Sequence, residues 1–242
     1  MTIDICVPAY NEEEVIERSL VELSRVLTGM PEARWNIIVA NNASTDKTAE
    51  YAARVPGVRV ITIEEKGKGA AVCAAARAST ADLFGFIDAD LSADPHDFKK
   101  LLDAVVAGAD LAIGSRLLDT QMVNRSALRT LSSDVFNFLR KSLIGISVRD
   151  SQCGLKLMNK RGVEQLVQGE EKGWFFDMEL LARVDRAGLR IVEIPITWEE
   201  ERFAGRRSKL SMLREALPAV VAMLKIRKRL RAEGVVQVSS GV

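Results

Sequence analysis

Histidine occurs once, at His96, and cysteine three times, at Cys6, Cys73 and Cys153, in 242 residues. One imidazole excludes a histidine-rich metal cluster, and three cysteines without metal-type spacing fit neither a zinc site nor a disulfide framework. A reducing, cytoplasmic setting is the expectation. His96 follows Pro95 at a helix start and reads as a surface residue, while nothing beside Cys153 would activate a thiolate, so it reads as packing. An excess of one charge is also lacking. The 34 Lys and Arg against 33 Asp and Glu leave +1, which gives no support for nucleic acid binding. No stretch reaches the ~18 uninterrupted apolar residues of a membrane-spanning helix, and the chain starts with a strand-like run rather than a charged and then apolar leader. The expectation is a protein neither secreted nor anchored by a helix of its own. A G-x-G-x-x-G turn after the first strand is absent, which removes most support for a nicotinamide oxidoreductase. No repeat or low-complexity tract is present.

What is present is a hydrophobic content of 48%, enough for a proper core. Residues 3–7 (IDICV) form a β-prone run ended by Pro8. From Glu12 onward Val15, Ile16, Leu20, Leu23 and Leu27 recur at helical spacing, with Glu12, Glu13 and Glu14 suited to the positive end of the helix dipole. Strand-like runs follow at 36–40, 58–63, 83–87 and 110–113, separated by helix-like segments. Such alternation implies a mostly parallel sheet covered on both faces. Beyond Gly114 the pattern turns more helical, with helices expected over 122–144 and 177–187 and a strand over 191–197. Leu210, Leu213, Leu217, Val220, Val221 and Leu224 mark an amphipathic helix that ends in the basic cluster Lys225, Arg227, Lys228, Arg229 and Arg231.

Asp88-Ala89-Asp90 directly follows the apolar strand LFGFI. Ligands of open α/β sheets bind beyond the carboxyl ends of strands, so both acids project where a substrate would sit. Two carboxylates one residue apart suit a hard cation such as Mg²⁺ or Mn²⁺, with positions left for diphosphate oxygens. VPAYNEEE at 7–14 and NNASTDKT at 41–48 leave strands at the same edge. There Tyr10 could stack on a base, Glu12 accept from a ribose hydroxyl, and Asn41 pair with a base edge. The alternative is helix capping by Ser44 or Thr45 and a plain turn at Asn11. Lys66-Gly67-Lys68-Gly69 precedes an Ala-rich helix; glycine admits close backbone approach, and lysine at a helix N-terminus suits phosphate. It is not a Walker loop.

Taken in order and spacing, VPAYNEEE, NNASTDKT, KGKGAAV and DADLS resemble the family 2 glycosyltransferases of the GT-A fold. In the second half IGSR (113–116), NRSALRT (124–130), RDSQCGLKLM (149–158), WFFDMELL (174–181) and SKL (208–210) are most similar to dolichyl-phosphate β-glucosyltransferases and related polyprenyl-phosphate hexosyltransferases. The resemblance covers roughly 3–225. It implies a Rossmann-like, mostly parallel central sheet flanked by helices, with a helical acceptor-side region. The chain divides as one domain over 1–232, comprising a nucleotide-sugar half (1–90), an acceptor half (91–207) and a basic amphipathic helix (208–232), then a flexible tail (233–242). Pro8, Ala9, Tyr10, Glu12, Asn41 and Lys68 would bind the nucleotide sugar together with Asp88, Ala89 and Asp90, the two acids holding the metal. Arg116, Arg125, Arg129 and Ser133 are candidates for the acceptor phosphate, since guanidinium grips phosphate in bidentate fashion. Arg207 and Lys209 could close over the donor diphosphate. Asp177 stands where relatives with hydroxyl acceptors keep a base; with a phosphate acceptor it would only orient acceptor or sugar.

The reaction implied is inverting transfer of a hexose, UDP-glucose or another UDP-hexose being the favoured donor, to a polyprenyl or dolichyl phosphate. Alternatives are GDP-mannose as donor, a hydroxyl acceptor with Asp177 as base, and a non-catalytic sugar-nucleotide-binding scaffold. Asn41 and Asn42 replace the family's usual acidic pair, leaving the base open, and QCGLKLM replaces QCGFKLF, read as packing. Relatives often carry a transmembrane helix. This chain is expected instead to sit peripherally at the inner face of the membrane through its basic C-terminal helix, with a membrane-protein partner or homo-oligomer as further expectations.

Overall fold

The computed structural model describes residues 1–118, 141–146, 148–199 and 212–239, the last stretch with side chains over 217–234. Seven strands form one sheet in the order β3-β2-β1-β4-β6-β5-β7. They are β1 (Thr2–Ala9), β2 (Arg34–Asn42), β3 (Val58–Ile63), β4 (Leu83–Phe86), β5 (Leu111–Ser115), β6 (Lys156–Asn159) and β7 (Ile191–Pro195). The helices are α1 (Ile16–Thr28), α2 (Thr48–Ala53), α3 (Lys68–Ala78), α4 (Phe98–Val106), α5 (Lys160–Val167), α6 (Phe176–Arg186) and α7 (Met212–Ser239).

β1 is central, parallel to both β2 and β4. Its side chains alternate between two cores. Ile3, Ile5 and Val7 pack with α1 and α4 on one face, and Cys6 packs with α3 and α6 on the other. Burial on both faces explains why the strand reads as a continuous apolar run rather than an alternating one. α1 contributes Ile16, Leu20, Leu23, Val26 and Leu27 to its face, each worth about 1.5–3 kcal/mol when fully buried.

β6 was not among the expected strands. It runs antiparallel to both β4 and β5, so the sheet is mixed. The reversal has a positional consequence: Lys156, the first residue of β6, pairs with Phe86, the last of β4. The start of β6 therefore lies at the edge from which the acidic triplet emerges.

Two helix boundaries also differ. α1 begins at Ile16, because the Glu12 carbonyl accepts from the amides of Val15 and Ile16 and the three glutamates stay in the preceding turn. α7 continues to Ser239, past Glu233, where a tail was expected. Of the helix expected over 122–144, residues 141–144 are helical and the rest lies outside the described residues.

α7 also buries a different stripe from the one its bulkiest residues suggest. Ala219, Ala222, Met223, Ile226 and Leu230 join the core, while Leu217, Val221 and Leu224 are 74%, 43% and 50% exposed. Apolar residues occupy so much of this helix that periodicity alone does not select a face. Ion pairs favour the observed one: Arg183 of α6 forks onto Glu233 at 3.0 and 2.6 Å, and Arg229 reaches Glu179 at 3.4 Å.

Candidate functional site at the carboxyl edge of the sheet

Register brings Ala9 of β1 level with Asn41 of β2, so the loops that follow leave the sheet side by side. They clasp each other. The Asn11 amide donates to Ser44 Oγ at 3.1 Å, the Thr45 amide to Asn11 Oδ1 at 2.9 Å, the Glu12 amide to Thr48 Oγ1 at 2.8 Å and the Lys47 amide to Glu13 Oε2 at 3.0 Å. Asn11 and Ala43 take left-handed backbone, with φ of 53° and 54°, a conformation asparagine tolerates better than most residues. Simple capping by Ser44 or Thr45 is not what these residues do; the N-cap positions of α1 and α2 are Val15 and Lys47, neither of which makes a side-chain cap.

The two asparagines that end β2 have separate roles. Asn42 donates from Nδ2 to the Glu65 carbonyl at 2.6 Å and accepts at Oδ1 from the Gly67 amide at 2.7 Å, so it pins the 65–67 loop. Asn41 is 5% exposed, and its Oδ1 meets no hydrogen-bond donor of the protein. A buried acceptor left this way costs about 1–3 kcal/mol and suits an N–H supplied by a ligand. Tyr10, 46% exposed, follows β1 at the same edge of the sheet, next to Pro8, Ala9 and Glu12 in the chain.

Around α3 the structure corrects the phosphate reading. The Gly69 amide donates to the Gly173 carbonyl at 3.3 Å and the Ala70 amide to the Lys172 carbonyl at 3.1 Å. A Cβ on Gly67 would come within 2.0 Å of the Lys172 oxygen. The glycines thus admit the 171–173 backbone, and the helix terminus is capped by protein rather than left open to an anion. The Lys68 side chain remains. Its Nζ lies 2.5 Å from Asp88 Oδ1 and 5.0 Å from the centre of the Trp174 ring. Burial works against its charge, but Asp88 and Asp177 outweigh that and hold the ammonium above the usual lysine range.

The acidic triplet turns sharply beyond β4. Leu91 adopts φ of 48° and donates its amide to the Asp88 carbonyl, while Asp90 Oδ1 accepts from the Ser92 amide at 3.1 Å. Ala89 between them is buried, so the two carboxylates flank a packed methyl. Gly154 lies against Asp88: a Cβ there would fall 2.0 Å from Asp88 Oδ2. Below sits Asp177, 2% exposed, in an ion pair at 2.6 Å with the wholly buried Lys156. Burial pushes the Asp177 carboxyl up, against the pull of Lys156 and Lys68.

Arg116, at the end of β5, is partly committed. Its Nε and Nη2 donate to the two oxygens of Asp150 at 2.7 and 2.8 Å, and its guanidinium stacks 4.6 Å from the Trp198 ring centre. Asp150 is in turn held by its own amide donating to Glu193 at 3.0 Å. Of the five N–H groups of a guanidinium, two are thus spent on Asp150. Arg125, Arg129, Ser133, Arg207 and Lys209 lie outside the described residues.

The residues present fit a divalent cation. Asp88 and Asp90 are hard oxygen donors from one turn, and Asp88 already receives a cation, the Lys68 ammonium. Among the described residues no cluster of three or more His, Cys, Asp or Glu forms a complete cage. The other ligands would come from water and diphosphate, as Mg²⁺ and Mn²⁺ accept. Lys156, Asp150 and Trp198 were missed by sequence reading. A lysine inside the apolar run GLKLM was the one available signal.

The family model described as Glycosyl transferase family 2 matches residues 4–167. Glycosyltransferase AglD of Haloferax volcanii is 31% identical over 205 residues, which cover 81% of this chain and 33% of that protein. The dolichyl-phosphate beta-glucosyltransferase of Saccharomyces cerevisiae is 31% identical over 82% of this chain and 67% of its own length. The polyprenol monophosphomannose synthase of Mycolicibacterium smegmatis is 33% identical over 96% of this chain and 91% of its own length. The chain thus spans only a third of AglD and nearly all of the mycobacterial synthase. Among solved structures, glucosyl-3-phosphoglycerate synthase from Mycobacterium tuberculosis, in complex with Mn²⁺, UDP and glucosyl-3-phosphoglycerate, superposes with a TM-score of 0.70. At 24% identity over 93% of this chain and 79% of that one, the likeness concerns the fold.

Proposed function

This chain belongs to glycosyl transferase family 2 and has the GT-A fold, and we propose that it transfers a hexose from a nucleotide sugar to a polyprenyl or dolichyl phosphate with inversion at the anomeric carbon. The observation that carries the choice of acceptor is the state of Asp177. A hydroxyl acceptor needs a base at that position, and here the carboxylate is sealed under the site and ion-paired to Lys156. A phosphate monoester needs none, because its second pKa of about 6 leaves it ionised near neutrality. The names of the yeast and mycobacterial relatives support the same acceptor class.

In this reading a phosphate oxygen of the acceptor attacks the anomeric carbon as the bond to the nucleoside diphosphate breaks. An α-linked donor gives a β-linked sugar phosphate without a covalent enzyme intermediate. Asp88 and Asp90 would hold Mg²⁺ or Mn²⁺, which neutralises charge on the leaving diphosphate. Lys68 stands ready to share that role once Asp88 is taken by the cation. Pro8, Ala9, Tyr10, Glu12 and Asn41 line the nucleotide cleft. Arg116, with Arg125, Arg129 and Ser133, receives the acceptor phosphate, and Arg207 and Lys209 cover the donor. UDP-glucose or another UDP-hexose is the first donor to try. GDP-mannose is the second, on the strength of the mycobacterial mannose synthase; Asn41 Oδ1 suits the ring N–H of either uracil or guanine.

Among the described residues no helix is long and apolar enough to cross a membrane. Lipid access is assigned instead to the exposed stripe of α7, where Leu217, Val221 and Leu224 precede exposed Lys225, Lys228 and Arg231. Each basic residue near anionic lipid contributes about 1 kcal/mol, which supports a peripheral position at the inner face of the membrane.

The test is a transfer assay with radiolabelled UDP-glucose, GDP-mannose and other sugar nucleotides, a short-chain polyprenyl phosphate, and Mg²⁺ or Mn²⁺ with and without chelator. Chelator-sensitive label in the lipid phase is the expected result. Absence of lipid label from every donor shown to bind would remove the reading.

A further inference from the structure

The proposed reaction gives no role to the wholly buried cation nearest the acidic turn, Lys156. Lys156 is 0% exposed, and its ammonium is held by one ion pair and two hydrogen bonds. It lies 2.6 Å from Asp177 Oδ1 and donates to the backbone carbonyls of Cys153 at 2.7 Å and Ser151 at 3.3 Å. The ammonium also stands 5.2 Å from the centre of the Phe86 ring, at the end of β4. One group thus joins α6, the end of β4 and the 151–154 loop at a single point.

That loop ends in Gly154, whose Cα leaves no room for a Cβ beside the Asp88 carboxylate. The position of Asp88 is therefore set by the path of the 151–154 backbone, which the carbonyl bonds to Lys156 fix. A buried ion pair is seldom more stable than an apolar pair of the same volume. What it supplies here is direction, since an apolar side chain would leave both carbonyls without a donor.

We propose that Lys156 is a positioning residue for glycosyl transfer, a strut that joins Asp177 to the 151–154 loop and so holds Gly154 beneath Asp88 in the geometry that accepts the divalent cation. Asp177 then serves as the counter-ion of the strut rather than as a proton acceptor. This rests on the transferase reading of the site, but its test is a binding measurement that does not require transfer.

The test uses the full-length protein and calorimetric titration with UDP and with GDP, each with and without Mn²⁺, well below the unfolding midpoint. The quantity read is the gain in nucleotide affinity that Mn²⁺ confers. Lys156→Met and Gly154→Ala perturb the seat of Asp88 from two sides. Each is expected to cut the Mn²⁺-dependent gain at least tenfold while metal-free affinity stays within about twofold of the parent. Asp177→Asn leaves both carbonyl bonds in place and is expected to retain most of the gain. Should Lys156→Met fail to fold, Lys156→Met/Asp177→Asn removes both charges together and is expected to fold yet still lack the gain. A Mn²⁺-dependent gain at the parental level in the double variant, or in a folded Lys156→Met, overturns the proposal. A loss of thermal stability with the Mn²⁺ gain intact overturns it equally, because it would reduce Lys156 to a structural role. If the parent binds nucleotide with Mn²⁺ but never labels lipid, the transferase reading falls while these comparisons still judge Lys156.

Discussion

Asn42 gives both ends of its amide to the 65–67 loop, whereas Asn41 beside it keeps an oxygen that meets no donor. Replacing Asn42 by Ala strands the half-buried Gly67 amide and is expected to cost about 1–3 kcal/mol, read as a lowered urea midpoint. Asn41→Ala relieves an orphaned acceptor, so its stability should hold or rise while nucleotide affinity falls about tenfold; unchanged affinity would remove Asn41 from the donor cleft. From sequence the two residues were one motif, because their roles differ only in what the 65–67 loop does. Asp150 is a second case. Burial would push its carboxyl up, but the Arg116 guanidinium outweighs that and holds it below the usual carboxylate range. A lowered folded-state pKa means that the pair's contribution is fully present above about pH 4, the unfolded value, and is lost as pH falls through the folded one. Urea midpoints measured from pH 7 down should therefore drop in acid, and Asp150→Asn should flatten that drop while lowering stability at neutral pH. A parallel pH profile in the variant would show that the pair contributes nothing.

At the scale of elements, β1 to β5 and β7 were readable because each is a short apolar or β-branched run bounded by breakers, as VRVITI shows. β6 was not: four residues, one of them a lysine, resemble a strand only once Lys156 is known to have Asp177 as its partner. α7 was readable as an amphipathic helix, but its packed face was not. The helix buries Ala219, Ala222, Met223, Ile226 and Leu230, and the small alanines allow close approach to the core. The two faces make opposite predictions. Ile226→Ala should cost about 2–5 kcal/mol of stability. The triple change Leu217→Ser, Val221→Ser and Leu224→Ser should leave the unfolding midpoint within a degree or two, roughly the scatter of exposed-site substitutions. In flotation with anionic vesicles the triple variant should lose at least tenfold in binding; parental binding would show that this stripe does not meet lipid.

Across the whole molecule, the sheet edge that collects the site was legible from the order of strands and motifs. The loops after β1 and β2, Lys68 and the acidic turn do converge there. What the sequence concealed is how much of that edge the protein satisfies by itself. Gly67 and Gly69 admit the 171–173 backbone, Arg116 is half spent on Asp150, and Asp177 is closed off by Lys156. These long-range pairings leave no local pattern, yet they decide which groups remain for chemistry. The last of them bears on the acceptor. Under the proposed transfer, a carboxylate ion-paired to Lys156 at the position of a base favours an acceptor that arrives already ionised. The most direct measurement presents the protein, its donor and Mn²⁺ with a short-chain polyprenyl phosphate in one reaction and the corresponding polyprenol in another at neutral pH. The account predicts label in the phosphate alone, with the alcohol at least a hundredfold slower. Label in the alcohol at a comparable rate, abolished by Asp177→Asn, would contradict it.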